Sequence, residues 1–553
     1  MTKYRDTFFQ LPLYSLVICL FIIVDVKGQI KNFTRADSLR GSIGPGRDWW
    51  DIRYYDLQIQ PDLVEKTMQG TVTIHFAIGK KGVGKQMQLD LQGPLVIDSM
   101  RFNGVSISDF YREGNVYWIN SAAWKTKPNQ QHQLQVWYHG KPKEAPSAPW
   151  DGGWVWKKDS LGRPWVTVTC QGFGASVWYP CKDHQSDEPE NGASLTIRVP
   201  DSLSAIGNGR LVKKVSHPDK TTSWIWKVTQ PINNYNLIPY IGKYVHWKDT
   251  AMGEKGKLDL DYWVLDYNLD KAKKQFKQVK PMLRSMEYWF GPYAFYKDGF
   301  KLIETWHLGM EHQSAIAYGN QYKMGYRGRD LSESGWGLKW DFIIVHESGH
   351  EWFGNNITTK DIADMWIHEG FTHYSETLFI EYHYGKEAAN AYIRGVRKGI
   401  TNKKPLIGQY GVNDEGDLDM YYKGANIIHT IRQVIDNDVI FRKILRGLHQ
   451  KFYHQTVNSK QIESYISKES GKELGKIFDQ YLRTKDLPVL TYQRKNGQLL
   501  FKWTNCIEGF NMPIQLVNKK WIRPASQWQS IPDDAEEHPF SNNFLVSFRE
   551  VKE

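Results

Sequence analysis

Between Asp51 and Leu265 apolar and polar residues alternate with a period of two. Examples are Thr71-Val72-Thr73-Ile74-His75-Phe76, Leu134-Gln135-Val136-Trp137-Tyr138 and Leu195-Thr196-Ile197-Arg198-Val199. Such alternation predicts half-buried strands. Turn clusters such as Pro149 to Gly153 and Gly207-Asn208-Gly209 separate them. The stretch 44–245 therefore reads as one large N-terminal antiparallel β domain. Near residue 268 the period changes. Phe276, Val279, Leu283 and Met286 share one stripe of a helix running from Asp270 to Met286, with Asn268 as its cap and Pro281 predicting a kink inside it. A strand is expected over 300–304, and helices over 372–384, 424–435, 439–453, 459–470 and 472–482. Residues 246–487 thus read as a mixed α/β domain that ends at Pro488. Strand-like runs return at 489–493, 499–503, 514–517 and 544–548, enough for one small C-terminal β-sandwich over 488–553. The expected fold class is multidomain α+β.

Composition narrows the picture. The 553 residues are 41% hydrophobic and 24% charged, as in ordinary globular protein, so disorder does not dominate. The 23 Trp and 30 Tyr suit β-rich domains and aromatic-lined clefts. The formal net charge is +11, but no Lys/Arg block stands out, so the surface is mildly basic and no nucleic-acid partner is expected. Lys3 and Arg5 precede an apolar run from Leu11 to Val24, which has the form of a signal peptide over 1–28 cleaved after Gly28. Export to a periplasmic or extracellular compartment is the expectation, with an uncleaved N-terminal anchor as the alternative and no stable membrane span in the mature chain. Cleavage leaves Cys170, Cys181 and Cys506, which is no disulfide framework; a bridge between Cys170 and Cys181 is left open.

The candidate chemistry centres on His346-Glu347-Ser348-Gly349-His350. Residues four apart lie on one face of a helix, so the two imidazoles stand side by side at a reach that suits one Zn²⁺. Glu347 is close to the metal yet free to act as a base. Glu369 follows near the start of a second helical run. Two His and one Glu leave the fourth tetrahedral position to water, as in catalytic rather than structural zinc sites. Upstream, Gly309-Met310-Glu311-His312 offers a carboxylate on a strand edge that would pair with a substrate ammonium. Downstream, Tyr421-Tyr422-Lys423-Gly424-Ala425 offers a phenol that would hydrogen-bond an oxyanion.

Together these stretches resemble the gluzincin zinc aminopeptidases, the aminopeptidase N and leukotriene hydrolase family. The resemblance is carried by His346-Glu347-x-x-His350 with Glu369, by Gly309-Met310-Glu311, by Tyr421-x-Lys423-Gly424-Ala425, and by Cys170-Gln171 with Trp178-Tyr179-Pro180-Cys181-Lys182-Asp183. It implies a thermolysin-like catalytic domain holding one Zn²⁺ per chain through His346, His350 and Glu369. It implies hydrolysis of the N-terminal peptide bond of peptides with a free N-terminus, through a zinc-activated water with Glu347 as general base. Tyr421 would stabilise the oxyanion. Glu311 and Gln171 would bind the substrate's α-amino group beside Gly309 and Met310, and Glu376 would orient a zinc-ligating His. Three positions depart from the family pattern: Leu308 replaces a Gly, His312 replaces an Asn, and His368 replaces another Asn, read first as a neutral surface change with tuning of Glu369 as the alternative. Family members carry a large helical domain over the cleft, whereas a short β segment follows here, which implies a more open site. The competing readings are an inactive peptide-binding protein on this fold, an epoxide hydrolase and an endopeptidase. The oligomeric state stays open.

Overall fold

The computed structural model describes residues 32–533 and 539–552; the expected signal peptide over 1–28 lies outside them. An eight-stranded sheet forms the N-terminal part. Its spatial order is Arg210–Ser216, Thr221–Val228, Ala193–Pro200, Trp50–Asp62, Thr67–Ile78, Gln131–Gly140, Val96–Phe102 and Val105–Ile107. Burial alternates along Ala193–Pro200 as the period-two pattern requires. One pair departs from the antiparallel expectation: Trp50–Asp62 runs parallel to Ala193–Pro200, with Leu57 opposite Leu195. Local alternation does not encode direction, and the long chain between these strands permits a crossover. A four-stranded sheet (Ser204–Ile206, Tyr240–Gly242, Pro164–Thr169, Gly153–Lys158) packs nearby, and Leu57, Val72, Ile74, Trp154 and Tyr179 fill a shared core.

A second, five-stranded sheet begins at Tyr244. Its order is Tyr244–Gly253, Gly256–Leu265, Phe300–Glu304, Ile316–Tyr318 and, at the edge, Gly309–Met310. Helices pack against it. The expected helix with a kink at Pro281 is two helices, Leu269–Gln275 and Val279–Phe290, joined by a 3₁₀ turn at Phe276–Gln278. The break precedes Pro281, which sits in the first turn of the second helix, where its missing N–H leaves no bond unmade. The predicted stripe of Phe276, Val279, Leu283 and Met286 is buried. Later helices cover Trp366–Tyr384, Lys386–Val396, Tyr422–Ile435, Asp438–Lys451, Ser459–Ser470 and Gly475–Arg483. The first of these starts earlier than the expected 372, so Glu369 lies inside it.

The C-terminal segment is a four-stranded mixed sheet (Gln529–Pro532, Gln498–Thr504, Val489–Lys495, Ser547–Glu550) with a short ribbon, Ile514–Gln515 against Trp521–Ile522. It does not close a core of its own. Leu490, Phe501, Trp503, Phe544 and Leu545 belong to the same continuous apolar cluster as the catalytic helices. Residues 544–545, expected in a strand, turn inward instead: Tyr481 Oη donates to Leu545 O at 2.6 Å. Among the described residues no helix is long and apolar enough to cross a membrane.

The helix that carries His346, Phe342–Gly349, is only eight residues long, and His350 is its C-cap. Asp341 caps it, accepting from Ile343 N at 3.1 Å and Ile344 N at 3.3 Å. The same buried carboxylate accepts from Gln275 Nε2 and Tyr318 Oη, each at 2.7 Å, and from Asn320 Nδ2 at 2.8 Å. Burial pushes its pKa up to about 6 against those bonds. Asp341→Ala removes the cap and these acceptors at once, an expected cost of about 2–4 kcal/mol. A lowered denaturant midpoint is the measurement, and an unchanged midpoint would contradict the assignment.

Candidate active site

His346 and His350 project from one helical face with ring centroids 5.1 Å apart. Each ring is fixed by a bond at Nδ1. His346 Nδ1 donates to Glu376 Oε1 at 2.7 Å, and His350 Nδ1 donates to Phe353 O at 3.0 Å. This leaves both Nε2 atoms aimed inward. They meet Glu369 Oε2, which lies 3.7 Å from His346 Nε2 and 3.4 Å from His350 Nε2. Glu369 Oε2 is buried and has no hydrogen bond. A tetrahedral zinc with bonds of about 2.1 Å has ligand–ligand edges of about 3.4 Å. The three atoms therefore fit a zinc ion, and two nitrogens with one oxygen suit that metal. His346, His373 and Glu376 also converge. There, however, the Glu376 carboxylate has both oxygens in hydrogen bonds, Oε1 with His346 and Oε2 with Tyr392 Oη at 2.5 Å, whereas Glu369 Oε2 has none.

The electrostatics agree. Burial alone disfavours a protonated His346, but Glu369 and Glu376 outweigh it and hold its pKa well above 6.5. Burial raises the pKa of Glu369, yet His350 and His346 outweigh it and hold the carboxyl below the ordinary range. Glu376 is likewise lowered to about 2, with His373 and His346 overcoming burial. A divalent cation takes the place of the protons these charges would otherwise retain.

Glu347 faces the same cavity, of about 420 Å³, as the three ligands. Burial pushes its pKa up to about 7, with His346 and His350 opposing. Gly309 makes room for it: a Cβ there would lie 2.6 Å from Glu347 Oε1. Glu311 extends from the same edge strand, with Met310 buried beside it. Its Oε1 accepts from Gln171 Nε2 at 2.5 Å and from Tyr235 Oη at 3.1 Å. The structure thus joins Gln171, from a loop of the N-terminal part, to Glu311 of the five-stranded sheet. Tyr421 is half-buried at the far wall, its ring 6.2 Å from that of His346 and nearly parallel to it. Burial, then Glu369 and Glu311, push its pKa well above 10, so the phenol keeps its proton. The helix that follows Tyr421 crosses the second ligand helix at glycines: a Cβ on Gly424 would lie 2.9 Å from Gly370 Cα. Any side chain at either glycine would push Tyr421 away from Glu369.

One expectation is corrected. His368 is not on the surface; it is fully buried and its Nε2 accepts from Thr359 N at 2.9 Å. Burial pushes its pKa down to about 3, so it is a neutral acceptor that ties the ligand helix to the neighbouring strand. The helix is buried on all sides over this stretch, and polar spacing gave no sign of that. His312 is also buried and neutral, its Nδ1 bonded to Tyr240 Oη, away from the cavity. Leu308 lines the cavity instead. Cys170 and Cys181 are buried free thiols. Tyr235, Tyr392, His373 and Glu415 reach the site or its supports without any spacing signal in the sequence.

Residues 52–235 match the peptidase M1 N-terminal domain and residues 267–481 match the peptidase family M1 domain. The chain is 22% identical over 431 residues to a protein named probable aminopeptidase 2 from Sulfurisphaera tokodaii, a match that covers 75% of this chain and 52% of the relative. It is 24% identical over 299 residues to endoplasmic reticulum aminopeptidase 1 of Mus musculus, covering 51% of this chain and 31% of that one. The chain spans about half the length, or less, of these relatives. Among solved structures, the M1 zinc metallopeptidase of Deinococcus radiodurans is similar with a TM-score of 0.68 at 20% identity, over 81% of this chain and 98% of that one; at that identity the likeness speaks for the fold alone.

The arrangement around His346 has a direct test. Glu376→Ala should weaken zinc binding by about 10–100-fold, since the ring loses its orienting acceptor. Competition against a chromophoric chelator reads this out, and unaltered affinity would remove Glu376 from the site.

Proposed function

The chain belongs to peptidase family M1, and from that membership we propose that it is a zinc aminopeptidase that hydrolyses the N-terminal peptide bond of peptides. The observation that carries the reading is the pairing of Gln171 with Glu311 inside the cavity that holds the three-ligand cluster. A buried carboxylate with a side-chain amide beside it recognises a primary ammonium through charge-assisted hydrogen bonds. The anchors stand at one end of the reacting centre, so they hold the first peptide bond, and no later one, against it.

Each residue then has a task. Glu311 and Gln171 hold the substrate's α-amino group, and Tyr235 keeps the Glu311 carboxylate in place. Bound at His346, His350 and Glu369, zinc supplies Lewis acidity and lowers the pKa of water. Glu347 accepts the proton of the attacking water at its carboxylate and delivers it to the leaving amine. Its buried, raised pKa of about 7 in the metal-free protein belongs to a group that changes protonation state readily near neutrality. Tyr421 donates its phenolic proton in a hydrogen bond to the developing oxyanion. Gly309 keeps the space in which the Glu347 carboxylate moves.

Two measurements test this reading. Aminoacyl chromogenic substrates should be cleaved, their N-acetylated forms should be cleaved far more slowly, and a chelator should stop both. Equal rates on free and acetylated substrates would sink the role of Glu311 and Gln171. Glu347→Gln should retain zinc while losing about 10²–10⁴-fold in kcat. A variant that keeps its zinc and its turnover would show that another group is the base.

A further inference from the structure

A second cavity, of about 560 Å³, is lined in part by chain neighbours of the active-site lining and has no part in the chemistry described so far. The two linings meet at three places along the chain: Ala148 beside Pro149, His307 beside Leu308, and Arg327 beside Tyr326. The order of the anchors gives the direction of a bound peptide. Its amine is at Glu311, its first peptide bond is beside Glu347 and Gly309, and the leaving segment must therefore continue past Leu308. At about 3.3 Å per extended residue, the third residue reaches His307 and Trp306.

The walls of this cavity have a definite chemistry. Trp165 and Trp306 stand edge to face with centroids 6.2 Å apart, and Trp306 is 51% exposed. Two acids and three cations line the space, but the acids are committed elsewhere. Asp159 accepts from Arg163 Nε at 2.8 Å and from two backbone amides. Glu304 accepts from Leu265 N at 2.8 Å and Asn268 Nδ2 at 2.7 Å. Lys158 and Lys271 are exposed, and Arg327 Nε is buried without a hydrogen bond. His307 is 1% exposed and neither ring nitrogen makes a well-formed hydrogen bond, although the ring lies near the backbone of Gly309. Unsatisfied buried donors of this kind call for an acceptor from outside.

We propose that this cavity, between Trp165, Trp306 and Arg327, holds the substrate from about its third residue onward and favours a segment that carries carboxylates. The proposal rests on the aminopeptidase reading for the direction of the chain, and the test separates the two. Pentapeptides that share their first two residues and carry Glu, Ala or Lys at the remaining three are compared with an aminoacyl nitroanilide, which is too short to reach the cavity. The acidic peptide should show kcat/KM about tenfold above the lysine peptide at low salt, with the gap closing at high salt. The combined change Lys158→Gln and Arg327→Gln should close the gap while altering nitroanilide hydrolysis by less than about twofold. Lys158→Gln alone, at an exposed position, should narrow it without any effect on folding. Calorimetric binding of the acidic pentapeptide to Glu347→Gln protein reads the cavity without turnover. Equal kcat/KM across the three peptides, or binding unaffected by Arg327→Gln, overturns the proposal. A wild-type protein that binds the acidic peptide but leaves the nitroanilide intact would instead overturn the aminopeptidase reading.

Discussion

Three donor atoms from two helices converge in a water-poor interior with no hydrogen bond among them, and the structure around them exists to hold that convergence. Left alone, a buried carboxylate oxygen and two ring nitrogens would turn to find partners. Glu376 and the Phe353 carbonyl prevent this by engaging the far side of each imidazole. Glu376 is itself fixed by Tyr392, with His373 2.9 Å from the same oxygen that His346 meets. Asp341 sets the start of the short histidine helix and ties it to Gln275, Tyr318 and Asn320, so the helix cannot roll. Rotating either ring would break a buried bond before it relieved the unpaired oxygen.

The second demand is that groups from separate sheets meet over this point. Gln171 comes from the N-terminal part and Glu311 from the edge of the five-stranded sheet, yet they share a hydrogen bond. The loop that carries Gln171 is held at its far end by Asp183, whose carboxylate accepts from Ser176 N at 3.1 Å and pairs with Arg40. Asp183 N in turn donates to Asp90 at 2.9 Å. The edge strand is held from the other direction, where Asn355 Nδ2 donates to Glu311 O at 2.7 Å. On the proposed reading, this double anchoring sets how far the amine sits from the metal, and hence which bond is cut.

The parts of this that were legible in the sequence are those fixed by short-range periodicity. Four-residue spacing on a helix places His346 and His350 on one face whatever surrounds them, and period-two runs place the strands of the first sheet. The parts that were not legible depend on what packs against what. The parallel pairing of Trp50–Asp62 with Ala193–Pro200 is a long-range choice that alternation does not record. His368 was misread as a surface residue because a polar side chain looks the same in sequence whether it meets water or the amide of Thr359. Tyr235 could not be found because its partner Glu311 lies far along the chain, and Tyr392 because its bond to Glu376 depends on how two successive helices pack. The helix break was placed at Pro281, where proline is most often disruptive, but the chain had already turned at Phe276–Gln278, which made that position a first turn where proline is tolerated.

The C-terminal segment is best understood through Tyr421. The helix that begins at Tyr422 is pressed on one side against Gly370 of the second ligand helix. On another side it meets residues 542–545: Leu545 N donates to Thr430 Oγ1 at 2.9 Å. Arg397 spans the same junction, donating to Asn426 Oδ1 and to the carbonyls of Asn542 and Phe544, each at 2.9 Å. Burial lowers its pKa to about 10, so it remains charged at neutral pH and its bonds remain charge-assisted. Phe544 and Leu545 also belong to the apolar cluster that contains Ile427 and Ile431 of that helix. A segment that only covered a cleft would meet its rim. This one meets the back of the helix that carries the phenol, so loosening it would let Tyr421 drift from His346 and His350, which Asp341, Glu376 and the Phe353 carbonyl hold in place. The C-terminal segment therefore acts as a buttress of the core around the cavity, and the positions of the phenol and of the two histidines are maintained by separate sets of contacts.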